Sequence, residues 1–253
     1  MTLYLIGLGL EDEKDITLRG LEAVKKCSKV YLENYTSLLQ CTKEDLEQLY
    51  QQKINFANRA QSENFDQHIL TEAKTQEVAF LIVGDPVAAT THIELFKQAK
   101  EQGIPVRVIH NASILTAVGI TGLQVYKFGR TTSIPFLEKV PQLETPYLVV
   151  KENQEKDLHT LLLLDLDPEQ DHFMTPNEAI GILEHIEGQK KEEIITGDTL
   201  VIACARVGTA TQLIKTGRLE DVKKIDFGKP PYCLIIPAKR LHFVEEEMVG
   251  LWR

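Results

Sequence analysis

The stretch VAFLIVGDPVAATTH, residues 78–92, indicates the fold more strongly than any other part of the sequence. Its apolar run, residues 78–83, has the continuous hydrophobicity of a strand that is buried on both faces of a parallel sheet. Residues 84–86, Gly-Asp-Pro, form a turn that ends this strand. An amphipathic helix is predicted behind the turn, over residues 91–102. This pattern is typical of a strand–loop–helix unit in an α/β protein.

The same alternation of strands and helices continues on both sides of this unit, as far as about residue 125. Thr17, Thr90 and Thr91 are of the type that caps helix N-termini, and Gly103 is of the type that follows helices. The order predicts a mostly parallel sheet with helices on both faces. Further strands are expected at residues 2–7, 30–32, 53–57 and 106–110, and further helices at residues 18–27, 43–51, 66–75 and 113–118.

The second half of the chain has a different pattern of predicted strands and helices. Residues 127–146 contain three prolines and no helical period, which predicts a connection with an irregular strand. Thr175 and Pro176 followed by Glu178 are typical of a helix start. Strands are expected at residues 159–166, 199–205 and 232–237, and helices at residues 175–187 and 245–251.

Composition excludes several classes of protein. The net charge of −9 argues against binding to duplex nucleic acid, which needs clustered Lys and Arg. No apolar run approaches the roughly 20 residues of a membrane span, and the chain opens on a strand pattern rather than a signal peptide. Four cysteines without metal-ligand spacing predict reduced thiols. We therefore expect a soluble, cytoplasmic protein.

Two turns are candidate ligand sites, because open α/β sheets bind ligands at the carboxyl ends of their strands. Residues 6–10, Ile-Gly-Leu-Gly-Leu, lack the third glycine and distant acid of a dinucleotide site, so a purely structural tight turn stays open. Residues 84–92 are more specific, although Asp85 is also a common turn residue. His92, His110 and His159 show no metal-binding spacing, so no metal is expected.

Four stretches carry a resemblance to a known family: residues 6–10, residues 84–92, SILTAVGITG at 113–122 and LHTLLLLD at 158–165. They resemble the tetrapyrrole-methylase superfamily and, within it, the diphthine synthase family. The resemblance runs from the first residue to about residue 242. It implies two α/β domains, residues 1–125 with the GLGL and GDP loops and residues 126–253, with the cofactor in the cleft between them.

The cofactor implied by the resemblance is S-adenosylmethionine, which leaves as S-adenosylhomocysteine. Without the resemblance, Leu164 and Ala205 would be core residues because they lie in apolar strands. Ser113 would be a helix N-cap, a ligand contact or both. Tyr232 departs from the family, which often has His after a Pro-Pro pair. The stretch from Tyr35 to Ser37 also resembles a family segment that faces the active-site cleft. By motif, the family's cofactor contacts fall on Leu10, Asp85, Ala88, Ser113, Ile114, Leu164, Ala205 and, with that departure, Tyr232.

The resemblance further implies a methyltransferase of diphthamide biosynthesis. Members of the family methylate the amino group of a 3-amino-3-carboxypropyl-histidine in translation elongation factor 2. A homodimer without nucleic-acid or membrane partners is expected, with an acidic approach to the acceptor amine. The sequence shows no obvious general base, so it indicates no catalytic residue.

Three other functions stay open from the sequence. The first is a methyltransferase of the same superfamily that acts on a tetrapyrrole or another small molecule. The second is a non-catalytic S-adenosylmethionine-binding module, and the third is a nicotinamide-dependent oxidoreductase.

Overall fold

A computed structural model describes residues 1–33, 37–57, 62–88 and 92–253, with the backbone alone at residues 62–67 and 169. The candidate caps Thr90 and Thr91, and Tyr35 and Thr36 of the family stretch, lie outside the described residues. The chain forms two compact units, Met1–Leu115 and Thr116–Arg253. The boundary between the units lies after residue 115, before the boundary at residue 125 that the sequence predicts.

The first unit contains a five-stranded, wholly parallel sheet in the order β3-β2-β4-β1-β5. Five helices connect or follow these strands, and the last of them, α5, extends past the division. The strands are β1 (Leu3–Gly7), β2 (Lys29–Glu33), β3 (Ile54–Ala57), β4 (Val78–Ile82) and β5 (Val106–Ile109). The helices are α1 (Leu18–Lys26), α2 (Lys43–Tyr50), α3 (Ser62–Ala73), α4 (Ile93–Glu101) and α5 (Ile114–Ala117).

The central strand β4 is buried on both sides, as its continuous apolar run predicts. Phe80 belongs to one hydrophobic cluster and Leu81 to another, because successive side chains of a strand point to opposite faces. The predicted cap of α1 is also confirmed, since the Thr17 hydroxyl accepts a hydrogen bond from the Gly20 amide at 3.0 Å. The parallel sheet with covered faces is therefore present as predicted.

The second unit is built on a mainly antiparallel sheet in the order β11-β10-β12-β7-β6. Only the β6–β7 pair is parallel. Its strands are β6 (Thr132–Ile134), β7 (Thr160–Leu164), β10 (Leu200–Ala205), β11 (Leu213–Arg218) and β12 (Tyr232–Ile236), with a small hairpin of β8 (Leu166–Asp167) and β9 (His172–Phe173). The helices are α6 (Thr145–Glu155), α7 (Pro176–Lys190), α8 (Leu219–Val222) and α9 (Phe243–Gly250).

Helix α6 is the main element that the sequence pattern does not indicate. It buries the adjacent residues Val149 and Val150 as well as the polar residues Asn153 and Gln154. Polar and apolar positions are therefore mixed on its buried surface, and no single apolar stripe marks it as a helix. Within the described parts of the chain, no helix is both long and apolar enough to cross a membrane.

Candidate active site

The loops that follow β1 and β4 are joined directly through their backbones. The Gly84 amide donates to the Gly9 carbonyl at 2.8 Å, and the Gly9 amide donates to the Gly84 carbonyl at 3.3 Å. Both residues have positive φ angles, 83° and 78°, which glycine adopts without strain. A Cβ atom on Gly7 would lie 2.5 Å from the Gly84 carbonyl oxygen, so this approach requires glycine. The glycines of both motifs therefore bring the two loops together.

Asp85 connects the loop after β4 to the loop after β5. One carboxylate oxygen accepts from the Val87 amide at 3.0 Å. The other accepts from the Asn111 amide at 3.2 Å and lies 2.7 Å from Nδ1 of His110. Amide donors stabilise an ionised carboxylate, so Nδ1 of His110 carries the proton in this contact. Asp85 therefore holds the two loops in a fixed relation.

Asn111 connects these loops to the loop after β1. Its side-chain amide donates to the carbonyls of Gly7 and Asp15, both at 2.9 Å. The Asp15 carboxylate in turn accepts from the amides of Leu10 and Glu11, at 2.9 and 2.8 Å. The backbone of Leu10, an expected cofactor contact, is thereby fixed. Sequence reasoning missed Asp15 and Asn111, although a polar residue directly after β5 is a recognisable signal for a site at the strand ends.

The structure gathers the expected cofactor residues of the first unit in these three loops. Leu10, Ala88 and Ile114 are half-buried. Ser113 is buried, and its hydroxyl accepts from the Leu115 amide at 3.1 Å, so its capping role is confirmed. These residues and Asp85 occupy the carboxyl ends of β1, β4 and β5, where α/β sheets bind ligands.

The expected cofactor residues of the second unit form a row across its sheet. Ala205 at the end of β10 is opposite Tyr232 at the start of β12. The pairing of Cys233 with Leu163 extends to place Leu164 on the other side of Tyr232. Ala205 is fully buried, whereas Leu164 and Tyr232 are half-buried. Burial raises the pKa of Tyr232, and its hydroxyl donates to the Gly228 carbonyl.

Arg206 fixes the loops beside this row and was not indicated by the sequence. Its amide donates to the Pro231 carbonyl at 2.8 Å. Its guanidinium donates to the carbonyls of Phe227, at 3.0 Å, Thr211, at 3.1 Å, and Lys229. The cation therefore satisfies carbonyl groups from two loops of the second unit.

His92 and His159 lie in different surroundings. His92 packs edge-on against Phe80, with 5.1 Å between ring centroids, and burial lowers its pKa to about 4. His159 is buried and bonded to Glu245 at 2.9 Å. Among the described residues, no group of three or more His, Cys, Asp or Glu side chains is placed to hold a metal ion.

Comparison with known proteins identifies the family. The family described as tetrapyrrole (corrin/porphyrin) methylases matches residues 2–223. A diphthine synthase of Methanocaldococcus jannaschii is 47% identical to this chain, over 97% of this chain and 96% of its own length. A diphthine methyl ester synthase of Bos taurus is 44% identical, over 99% of this chain and 94% of its own length.

A solved structure of a diphthine synthase is also similar. It covers 100% of this chain and 96% of its own, with a TM-score of 0.91 and 38% sequence identity. Similarity in sequence and in structure thus extends over both units. The chain therefore belongs to the tetrapyrrole (corrin/porphyrin) methylase family and, within it, to the diphthine synthases.

Proposed function

We propose that this chain uses S-adenosylmethionine to methylate the amino group of the 3-amino-3-carboxypropyl-histidine of translation elongation factor 2. The observation that supports this proposal most strongly is the 47% identity to a diphthine synthase across 97% of the chain. Similarity over both units supports a shared reaction rather than a shared fold alone.

The loops of the first unit support this proposal. A Cβ atom added to Gly84 would meet nothing closer than 3.9 Å, in contrast to the closed surroundings of Gly7. The packing around Gly84 is therefore looser than that around Gly7, while Asp85 and Asn111 keep the loops in place. S-adenosylmethionine supplies an activated methyl group on a sulfonium. We assign its binding to Leu10, Asp85, Ala88, Ser113, Ile114, Leu164, Ala205 and Tyr232.

In this reaction the protein aligns the acceptor nitrogen with the methyl carbon. Alignment of two reactants contributes about 7–11 kcal/mol to lowering a barrier. The bonded loops suit this task, because a loop held by Asp85, Asn111 and Asp15 does not have to be ordered when ligands bind.

Calorimetry with S-adenosylhomocysteine tests the cofactor assignment. We expect Ala88→Trp and Asp85→Arg to weaken binding by at least about tenfold, or about 1.4 kcal/mol. The first places a large side chain in the loop after β4, and the second removes the carboxylate that holds the loops together. Lys97→Trp on exposed α4 is the control and should bind like the wild type. Wild-type affinity in both loop variants would show that the pocket lies elsewhere. Binding of NAD instead would favour an oxidoreductase.

The product is a separate question, because the relatives have two names, diphthine synthase and diphthine methyl ester synthase. We propose methylation at nitrogen. Intact-mass analysis of the modified elongation factor counts the added methyl groups. Mild alkali removes a methyl ester but leaves a methylated amine, so a mass unchanged by alkali supports the proposal. A mass that falls by one methyl group would show that a carboxylate is also methylated.

We further propose that the protein is a homodimer. Apolar side chains are exposed on two segments of the second unit, Ile120 and Tyr126 on one and Phe243 and Leu251 on the other. The segments are neighbours, since the Gln124 amide donates to Glu245 at 3.0 Å. Such a surface is typical of an interface. Light scattering should give twice the 28.6 kDa of one chain, and Tyr126→Lys with Phe243→Asp should reduce it. A wild-type mass of one chain at micromolar concentration would exclude the dimer.

A further inference from the structure

We propose that His110 is the general base that removes a proton from the acceptor amine, with Asp85 as the residue that positions it. This inference rests on the proposed methyl transfer and assigns a role in it that the sequence left open. It starts from the contact between the imidazole Nδ1 and the Asp85 carboxylate, at 2.7 Å.

The two partners differ in their exposure to solvent. The Asp85 side chain is 11% exposed and the His110 side chain is 67% exposed. Because Asp85 accepts the Nδ1 proton, the neutral imidazole has its acceptor lone pair on Nε2. A half-buried carboxylate thus orients an exposed imidazole, the arrangement by which enzymes fix the tautomer of a histidine base.

The carboxylate has a fixed position of its own. The amides of Val87 and Asn111 donate to it, and the Asn111 side chain is anchored on the carbonyls of Gly7 and Asp15. His110 is therefore attached to the same loops that carry Leu10, Asp85 and Ala88. The acid that orients His110 is thus fixed by amides of the loops after β4 and β5.

The acceptor needs a base because an aliphatic amine is protonated in water and then has no lone pair. Nε2 of His110 takes a proton from the ammonium group, and the electrons of that N–H bond become the nitrogen lone pair. The lone pair forms the bond to the methyl carbon while the carbon–sulfur bond breaks, and its electrons stay on sulfur as the thioether. The imidazolium, stabilised by Asp85, then releases the proton to water.

The loops after β1 and β4 and the strand β5 all carry charged residues. Asp85 lies in the loop after β4, Asp15 in the loop after β1, and Arg107 is the charged residue of β5 itself. Asp85 is the one in direct contact with His110 among the described residues.

Steady-state kinetics with the modified elongation factor tests the assignment. We expect His110→Ala to lower kcat by about 10²–10⁴ near pH 7, while the affinity for S-adenosylhomocysteine changes by less than about twofold. Added imidazole should restore part of the activity of His110→Ala. His185→Ala, an exposed histidine on α7, is the control and should keep the wild-type kcat.

The pH profile separates a chemical role from a structural one. In the wild type, kcat should already rise with pH below the range in which the amine loses its own proton. His110→Ala should lose that limb and rise only where the amine loses its own proton. A His110→Ala variant with the wild-type kcat and profile would overturn the inference while methyl transfer stands. A wild-type protein that binds cofactor but transfers no methyl group to the factor would instead overturn the proposed function.

Discussion

At the scale of single residues, the site depends on a few positions where no other side chain fits. Gly7 is the clearest of these. A Cβ atom there would lie 2.5 Å from the Gly84 carbonyl oxygen and 2.8 Å from Cβ of Asn111. Both neighbours belong to the bonded loops, so neither can move without breaking contacts that Asp85 and Asn111 make. The site is therefore sensitive to the addition of a single methyl group.

We predict that Gly7→Ala lowers the free energy of unfolding by about 1–3 kcal/mol, the usual effect of overpacking a closed site. Gly188→Ala is the matched control, because its Cβ would meet nothing within 4 Å and lies within α7. That substitution should stabilise the protein by about 0.5–1 kcal/mol, since alanine is the better helix former. Urea unfolding of both variants measures the difference. Equal stabilities would mean that the loops are not closely packed at Gly7.

The sequence indicated only part of this site. Asp85 was expected at the site because its loop follows a buried strand and because the stretch at residues 84–92 resembles a family motif. The roles of Asn111 and Asp15 were not, because their hydrogen bonds join residues 96 and 104 positions apart and leave no local pattern. His110 was considered as a metal ligand alone, and its pairing with Asp85 depends on the parallel order of β4, β1 and β5.

At the scale of elements, one buried carboxylate attaches helix α9 to the rest of the second unit. Glu245 is fully buried. One of its oxygens accepts from the Gln124 amide, at 3.0 Å, and from His159, at 2.9 Å. The other accepts from the His242 amide, at 2.8 Å, and lies 3.2 Å from Nζ of Lys127. A charge buried in this way is stable only because every partner is present.

The protonation of this cluster follows from its donors. The Ala238 amide donates to Nδ1 of His159 at 2.9 Å, so the imidazole proton is on Nε2 and is donated to Glu245. Burial lowers the pKa of His159 even though Glu245 opposes the shift. Burial by itself would raise the pKa of Glu245, but donation from Gln124, His242, His159 and Lys127 lowers it to about 2. The cluster therefore holds an ionised glutamate and a neutral histidine.

We predict that Glu245→Gln lowers the free energy of unfolding by about 3 kcal/mol at pH 7, because it leaves buried donors and Lys127 without their anion. Glu246→Gln, one position along and exposed, should change it by less than about 0.5 kcal/mol. Urea unfolding at pH 7 compares the two. A Glu245→Gln variant as stable as Glu246→Gln would show that the cluster does not hold α9.

The same cluster predicts a loss of stability in acid. The folded pKa of Glu245, about 2, lies below the ordinary 4.5, so its contribution is complete above the ordinary value and is lost as the pH falls toward 2. His159 acts in the same direction, because the unfolded chain binds its proton first. Unfolding measured from pH 7 to pH 3 should lose less stability in Glu245→Gln than in the wild type. Equal losses of stability in the two proteins between pH 7 and pH 3 would contradict the lowered pKa of Glu245.

Helices and strands with a clear local sequence pattern were predictable from the sequence. Those whose buried residues are a mixture of polar and apolar side chains were not. The capping box of α7 is an example of the first kind, since the Thr175 hydroxyl accepts from the Glu178 amide and the Glu178 carboxylate accepts from the Thr175 amide. Helix α6 is an example of the second kind, because tertiary packing buries its polar residue Asn153 beside Val150. The carbonyl of Arg130 accepts from Asn153 at 2.9 Å, a contact that no local pattern shows.

At the scale of the whole molecule, the two units contain different kinds of sheet. The first has parallel strands, whose carboxyl ends bring Asp85 and His110 together. The second has mainly antiparallel strands, whose register aligns Leu164, Tyr232 and Ala205. The alternating strands and helices predicted the first arrangement. The register of the second depends on pairing between distant strands and could not be predicted from the sequence.

The most direct test of the central claim is a competition between acceptors. The purified protein is given labelled S-adenosylmethionine with elongation factor 2 that carries the 3-amino-3-carboxypropyl-histidine, the same factor without this modification, and a panel of tetrapyrroles and small amines. We predict that the label appears on the modified factor alone, at the modified histidine. Label on a tetrapyrrole or small amine, with none on the modified factor, would contradict the account of the acceptor.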